Sequence, residues 1–537
     1  MLCRQFLILE EKEMKRLLTV SCCLCFISSI LSANIIVSGN VKPANPATYT
    51  LQTTCFIGDT GYGTMGITGG SDVLCYFSYI GYGTSSTGAA SVDGVGSTWT
   101  VFYSLYVGYS GNGTLNITGG GMVNDSVDGV VQDKGYIGFN SGSVGVVTVD
   151  GTGSMWTNDY ILYIGNEGSG TMYITDGGIV SNKEGKIGYK SGSTGEVTVD
   201  GPGSTWTNSG DLSVGSIGTG TLNVTGGGMV SNGTGIISFL SGSTGEVTVD
   251  GPGSTWTNSG DLSVGISYQG GISNGSLKIS NGGSVSNIKG HIGYDSGSIG
   301  EVTVDGPGST WTNSGTLTIG GYGRGTLDIV SGGIVSNNNS YIGNGISPDS
   351  IGEVTVKGAG STWSNSGNLR VGYRGTGTLN VTGGGLVSVA GTLTVDYDTD
   401  GDGFINMTSG GMLALYGDAE DLLANFLSLI DGTDVIRYWD SSISNWADLT
   451  EATYGVDYML SYQFEGDLAG YTMLTVYEPP DPDIDEDGDV DFYDFADIAF
   501  EWLEANCDEP DWCNRADIDH SGSVGISDIL ILAEHWL

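Results

Sequence analysis

One phrase of this chain is written twice without change: Gly195-Glu-Val-Thr-Val-Asp-Gly-Pro-Gly-Ser-Thr-Trp206-Thr-Asn-Ser-Gly210 recurs as residues 245–260. Variants of it surround Trp99, Trp156, Trp311 and Trp363, so that the six tryptophans stand 57, 50, 50, 55 and 52 residues apart. A period near 50 residues points to an array or solenoid, in which each unit buries its apolar face only against its neighbours. Each unit also divides in two. Val197-Thr-Val-Asp-Gly201 matches Leu222-Asn-Val-Thr-Gly226, and Thr205-Trp-Thr-Asn208 matches Met229-Val-Ser-Asn232.

Within a half-unit the segments are short and alternate. Val197 and Val199 share one side of an extended segment, while Glu196, Thr198 and Asp200 share the other. Gly, Ser and Asn separate the segments, and none is long enough for a helix. The chain is therefore predicted to be mainly β: a right-handed parallel β-solenoid over residues 34–416, of about 14 coils and roughly 65–70 Å at the usual strand spacing. A β-propeller is the alternative, since its blades also run to about 50 residues. Blades, however, do not divide into two equal copies.

Composition narrows the partners. Gly accounts for 94 residues and Pro for 10 without a G-X-Y period, which excludes collagen and fits a chain of many turns. Asp and Glu number 60 against 17 Lys and Arg, a net charge of −43. Phosphate recognition needs a basic face, so nucleic acid is excluded as a general partner and anionic lipid is disfavoured. Divalent cations and neutral or cationic partners stay open. Three His leave little for His-based catalysis.

Met14-Lys15-Arg16, the apolar run Leu17 to Leu31 and Ser32-Ala33 read as a secretory signal over residues 1–33, with 1–13 as an upstream start. The run is short for a spanning helix. A lipoprotein signal at Ser21-Cys22 is the alternative. No membrane insertion of the mature chain is expected. In an exported chain Cys55, Cys75, Cys507 and Cys513 are expected to form two local disulfides, with free buried thiols as the alternative.

The phrase V-x-G-x-G-S-T-W-x-N-S-G…L-x-V-G…G-T-L-x-V-x-x-G-G-x-V-S-N, spanning residues 57–412, resembles the repeat associated with type V secretion passengers and PEP-CTERM-sorted exported proteins of bacteria. The resemblance implies an extracellular or cell-surface β-helix with no assigned catalytic role. Regularly spaced tryptophans also suggest platforms for a polysaccharide. Against this, Trp156, Trp206, Trp311 and Trp363 stand where sister half-units carry Val180, Val230, Val335 and Val387, which marks a core position. Two residues on, Asn158, Asn182, Asn208, Asn232, Asn258, Asn287, Asn313, Asn337 and Asn365 are expected to stack as an amide ladder. Asp93, Asp150, Asp200, Asp250 and Asp305 recur at one repeat position, as an outward turn decoration does. An active site is made once, so no catalytic residue is assigned.

Asp398, Asp400, Asp402 and Asn406 have the spacing of positions 1, 3, 5 and 9 of a calcium loop with Gly403 at 6, but position 12 lacks its carboxylate. Phe404-Ile-Asn-Met-Thr408 also matches Thr378-Leu-Asn-Val-Thr382 of an ordinary coil, so a plain acidic turn competes. From Gly417 onward the chain holds 30 of the 60 acids. Asp418 to Ile430 reads as a helix, and Tyr458–Tyr462 with Tyr471–Tyr477 as a hairpin. Residues 417–478 are thus expected to form a small α+β cap over the open solenoid end. Residues 479–482 form a stiff Pro-rich linker.

The remaining segment carries the strongest chemical motif. Asp483, Asp485, Asp487, Asp491 and Asp494 occupy positions 1, 3, 5, 9 and 12 of a loop with Gly488 at 6, and Asp489 at 7 would add its carbonyl. This is the oxygen set that a hard cation with six or seven ligands requires. Asp517, Asp519, Ser521, Ser523 and Asp528 repeat the pattern with weaker donors, Gly525 standing at position 9. Each loop leads into an apolar helical stretch. Two such copies about 34 residues apart resemble a type I dockerin over residues 483–537. That resemblance implies an EF-hand-like helical module, Ca2+ as its ion and a cohesin-like domain as its partner. It also implies recognition at loop positions 10 and 11, here Phe492-Tyr493 and Ile526-Ser527. The expected function is a non-catalytic spacer, adhesin or matrix component anchored through this module. The alternative is a carbohydrate-binding or polysaccharide-degrading component of a dockerin-assembled complex.

Overall fold

The computed structural model describes residues 34–537, except 126–133, 269, 397–401, 409, 421, 433–435, 441, 442, 444, 478–483, 485–489, 491, 506, 508–512, 519–522 and 535–537. The expected signal, residues 1–33, lies outside the described residues. The chain is mainly β, a parallel β-solenoid of about 14 coils with few helices. One coil consists of strands Thr194–Asp200, Thr205–Asn208 and Leu212–Val214, and the next of Thr219–Thr225, Met229–Asn232 and Gly235–Ile237. Each strand pairs in parallel with its counterpart: Val197 with Leu222, Trp206 with Val230, Ser213 with Ile236. Three stacked faces result, here termed first, second and third in the order the chain visits them.

Alternation decides which side of each strand is buried. Val197, Val199, Trp206, Leu212 and Val214 are all fully buried, and one continuous core runs from Val41 to Val476. The corner between the first and second faces is set by glycine and serine. Gly201 and Gly203 hold φ of +88° and +84°, which favour glycine. Ser204 Oγ donates to Asp200 O at 2.6 Å and accepts from Gly177 N of the preceding coil at 3.0 Å. Ser254 and Ser309 repeat this bridge, so the Gly-Pro-Gly-Ser corner ties each such coil to its predecessor. At the start of the first-face strand a Cβ on Gly195 would lie 2.2 Å from Ile164 O, which explains the recurring glycine there.

Both ends of the stack change pairing direction. At the N-terminal end, Asn34–Gly39 runs antiparallel to Tyr62–Thr68 and Val41–Lys42 antiparallel to Thr54–Ile57. A disulfide joins Cys55 to Cys75 in the next coil. At the other end, Ile430–Gly432 extends the third face and Ile436–Asp440 the first, the latter turned back by antiparallel Asn445–Asp448. Tyr471–Val476 covers the second face antiparallel to Met412–Tyr416 and is followed by Tyr458–Tyr462. The helix read over Asp418–Ile430 shrinks to α1, Leu423–Leu427, which buries Phe426. Glu420 sits at φ +51°, Ala419 N is held by Thr472 Oγ1 at 3.1 Å, and Ile430 is recruited into a strand. Tertiary pairing therefore outweighs helical propensity on both flanks.

Two further helices, α2 (Phe492–Phe500) and α3 (Ile526–Glu534), pack around a separate small core containing Ile484, Ile498, Ile518, Val524 and Leu532. A disulfide links Cys507 and Cys513. Among the described residues no helix is long and apolar enough to cross a membrane.

Candidate functional site

The tryptophans belong to the interior. Trp99, Trp156, Trp206, Trp256, Trp311 and Trp363 are fully buried, so none offers a ring face to a sugar. Four of them anchor an internal polar relay. Trp206 Nε1 donates to Asn182 Oδ1 at 2.7 Å, and Asn182 Nδ2 donates to Asn208 Oδ1 at 2.5 Å. Trp256, Trp311 and Trp363 repeat the arrangement through Asn232–Asn258, Asn287–Asn313 and Asn337–Asn365. The expected amide ladder is thus cut into pairs. Asn287 Oδ1 already accepts the Trp311 indole proton, and Asn258 turns instead to Ser286 O at 3.4 Å.

The recurring carboxylates serve a similar structural end on the surface. Asp93, Asp150, Asp200 and Asp250 accept the hydroxyls of Thr118, Thr175, Thr225 and Ser280 in the following coil at 2.6–2.7 Å. Hydrogen bonds from Ser280 and Asn281 hold the Asp250 carboxyl below its usual range.

The third face carries what sequence reasoning missed. In five successive coils its outward middle residue is aromatic: Phe56, Tyr79, Tyr106, Tyr136 and Tyr163 stack at 4.8–5.2 Å with planes within 12°. Beside them Tyr82, Tyr109 and Phe139 form a second stacked row that meets the first edge-on. Rings so close cover one another's faces, so the ladder turns mainly edges to solvent. Burial, aided by neighbouring phenols, pushes the Tyr79 hydroxyl up to about 12; burial and the nearby Tyr189 and Glu184 do the same for Tyr163. The signal was present as Tyr-Ile/Val-Gly-Tyr/Phe at 79–82, 106–109 and 136–139.

A cleft of about 780 Å³ opens where the loop of the Tyr458–Tyr462/Tyr471–Val476 hairpin approaches the last coils. Ser336, Ser364 and Ser388 line it on the solenoid side, and Gln463, Glu465 and Asp467 on the hairpin side.

In the C-terminal module Asp494, Asp517 and Asp528 are fully buried. Ile484 N donates to Asp494 Oδ1 at 2.6 Å and Gly525 N to Asp528 Oδ2 at 2.7 Å, so each position-12 carboxylate folds back onto its own loop. Carboxylates at 0% exposure need such donors or a bound cation, and their oxygens are the kind that calcium takes. Ser523 is exposed. Asp483, Asp485, Asp487, Asp489, Asp491, Asp519 and Ser521 lie outside the described residues, and among the described ones no group of three metal-ligating side chains converges. Phe492, Tyr493 and Ile526 are about 70% exposed (70%, 69% and 67%) at the first turns of α2 and α3, with Ser527 half-buried beside them.

Asp398 and Asp400 also lie outside the described residues. Asp402 opens the strand Asp402–Met407, and Asn406 Nδ2 donates to Asn380 Oδ1 at 2.9 Å, which places both in the register of an ordinary coil. Comparison of the chain with models of known families, with curated proteins and with solved structures gives no match.

Proposed function

We propose that this protein is an exported, non-catalytic β-solenoid rod, a spacer, adhesin or matrix component of a bacterial surface. It is held by a calcium-dependent, dockerin-like C-terminal module to a cohesin-like domain. The observation that carries the reading is the module's surface. Phe492, Tyr493 and Ile526 keep large apolar side chains in water directly after acidic loops whose last carboxylates are buried. Exposed apolar groups grouped in this way mark protein contact. Calcium held by Asp483, Asp485, Asp487, Asp491 and Asp494 would fix the start of α2, and the second loop that of α3. The rod needs no chemistry for this role, since every coil adds the same rise.

The test uses the mature chain as bait on envelope and secreted fractions, with calcium and then with EDTA. Capture of a cohesin-like prey in calcium, its release by EDTA and its loss in Phe492→Ala/Tyr493→Ala are expected. Absence of any calcium-dependent prey would sink the reading. A second reading, a carbohydrate-binding component of such an assembly, draws on the cleft between Ser364 and Asp467.

A further inference from the structure

Beyond Tyr163 the aromatic rows of the third face are broken at several coils, and one of these breaks leaves a cavity. The two outward positions of each coil carry Lys186 and Tyr189, then Ser213 and Ser216, then Ile236 and Phe239. With serine at both positions, the middle coil lacks its rung. Ser213 and Ser216 are 8% and 4% exposed, and their hydroxyls bond each other at 2.9 Å. What remains is a notch of about 280 Å³. Its walls are Lys186 and Tyr189 on one side and Ile236 and Phe239 on the other, roughly 9.5 Å apart at two coil spacings. Phe239 meets Tyr268 at 5.4 Å and 65° in the coil beyond. Glu184 and Asp211 also line the notch.

We propose that this notch binds one neutral sugar ring of a longer glycan, seated where the missing rung would be. Three features select that chemistry. The walls hold the Tyr189 and Phe239 rings and Ile236, which suit the C–H faces of a pyranose, with the Lys186 ammonium 5.4 Å from the Tyr189 centroid on one side. Paired serine hydroxyls and two carboxylates offer acceptors and donors for ring hydroxyls. Glu184 and Asp211 disfavour an anion, and Glu184 already neutralises Lys186 at 3.5 Å. The volume suits a single ring rather than a whole oligosaccharide, the usual small-molecule site starting near 300 Å³. The inference does not depend on the C-terminal module.

The test is a calorimetric titration of the mature chain with cellohexaose, xylohexaose, mannohexaose and a galacturonate hexamer. The decisive variant is Ser213→Tyr/Ser216→Tyr, which fills the gap with residues that other coils carry at the same positions, Tyr163 and Tyr189. A neutral hexamer should bind the native chain, and the filled variant should lose about tenfold or more in affinity with its melting temperature retained. Phe239→Ala should weaken binding through loss of one wall, checked on protein with native circular dichroism. Failure of all three neutral hexamers, preference for the acidic one or unchanged binding by the filled variant would each overturn the proposal. None of these outcomes bears on calcium-dependent capture.

Discussion

Asn287 serves two neighbours with one amide. Its oxygen takes the Trp311 indole proton at 2.7 Å and its nitrogen reaches Asn313 at 2.6 Å, both within the core. Replacing it by Ala leaves a buried N–H without an acceptor, a loss of about 1–3 kcal/mol. Trp311→Phe in the same chain should recover part of that loss, and urea denaturation of the single and double variants checks it. Equal stabilities would show that the relay carries no energy. Residue identity announced the burial of these tryptophans, because valine shares their position. The direction of the relay was not legible, since it depends on which coil precedes which. The tyrosine ladder yields a pH prediction. Tyr79 and Tyr163 have phenols raised from 10.0 to about 12. The unfolded chain therefore loses those protons first. Their contribution is unchanged below pH 10, and stability falls as pH rises from about 10 to about 12. Phenolate absorbance should show these groups lagging the exposed tyrosines, and Tyr79→Phe/Tyr163→Phe should flatten the alkaline loss in the urea midpoint.

At the scale of elements, the ends of the stack are the informative places. The hairpin Tyr458–Tyr462/Tyr471–Val476 was readable from alternation, and it lies over the edge of Met412–Tyr416. The α1 region was not readable, because Ala419 and Ile430 are held by Thr472 and Leu393, partners distant in sequence. A chain ending at residue 416 would bare the strand edges of Leu393–Val395, Asp402–Met407 and Met412–Tyr416, with their backbone donors and acceptors. Light scattering should then report concentration-dependent, end-to-end oligomers absent from the full chain. A truncated chain that stays monomeric would show that these edges protect themselves.

For the whole molecule, the repeated part was legible because every coil states the same rule; the ladder too stood in the sequence as a recurring Tyr-Ile/Val-Gly-Tyr/Phe, whereas the notch is a local departure from the repeat. The two cores predict two thermal transitions. Calcium at about a hundred times its dissociation constant should stabilise the C-terminal module by about 2.7 kcal/mol and leave the solenoid transition unmoved. Asp494→Asn with Asp528→Asn should abolish the shift in calorimetry. A calcium effect on the larger transition instead would place the ion in the rod.

The Gly-Pro-Gly-Ser corner, with its serine bonded to the preceding coil, has a further consequence for heredity. Because residues 195–210 and 245–260 are identical, excision of residues 201–250 joins Asp200 to Gly251 with no change of wording across the junction. Ser254 would then find Gly177 where it now finds Gly227, the bond Ser204 makes today. Each such slip of a replicating gene alters the reach of the rod by two coil rises, roughly 9.5 Å. Length in this protein is thus a count of coils, and loss of two of them leaves the serine corner bond matched.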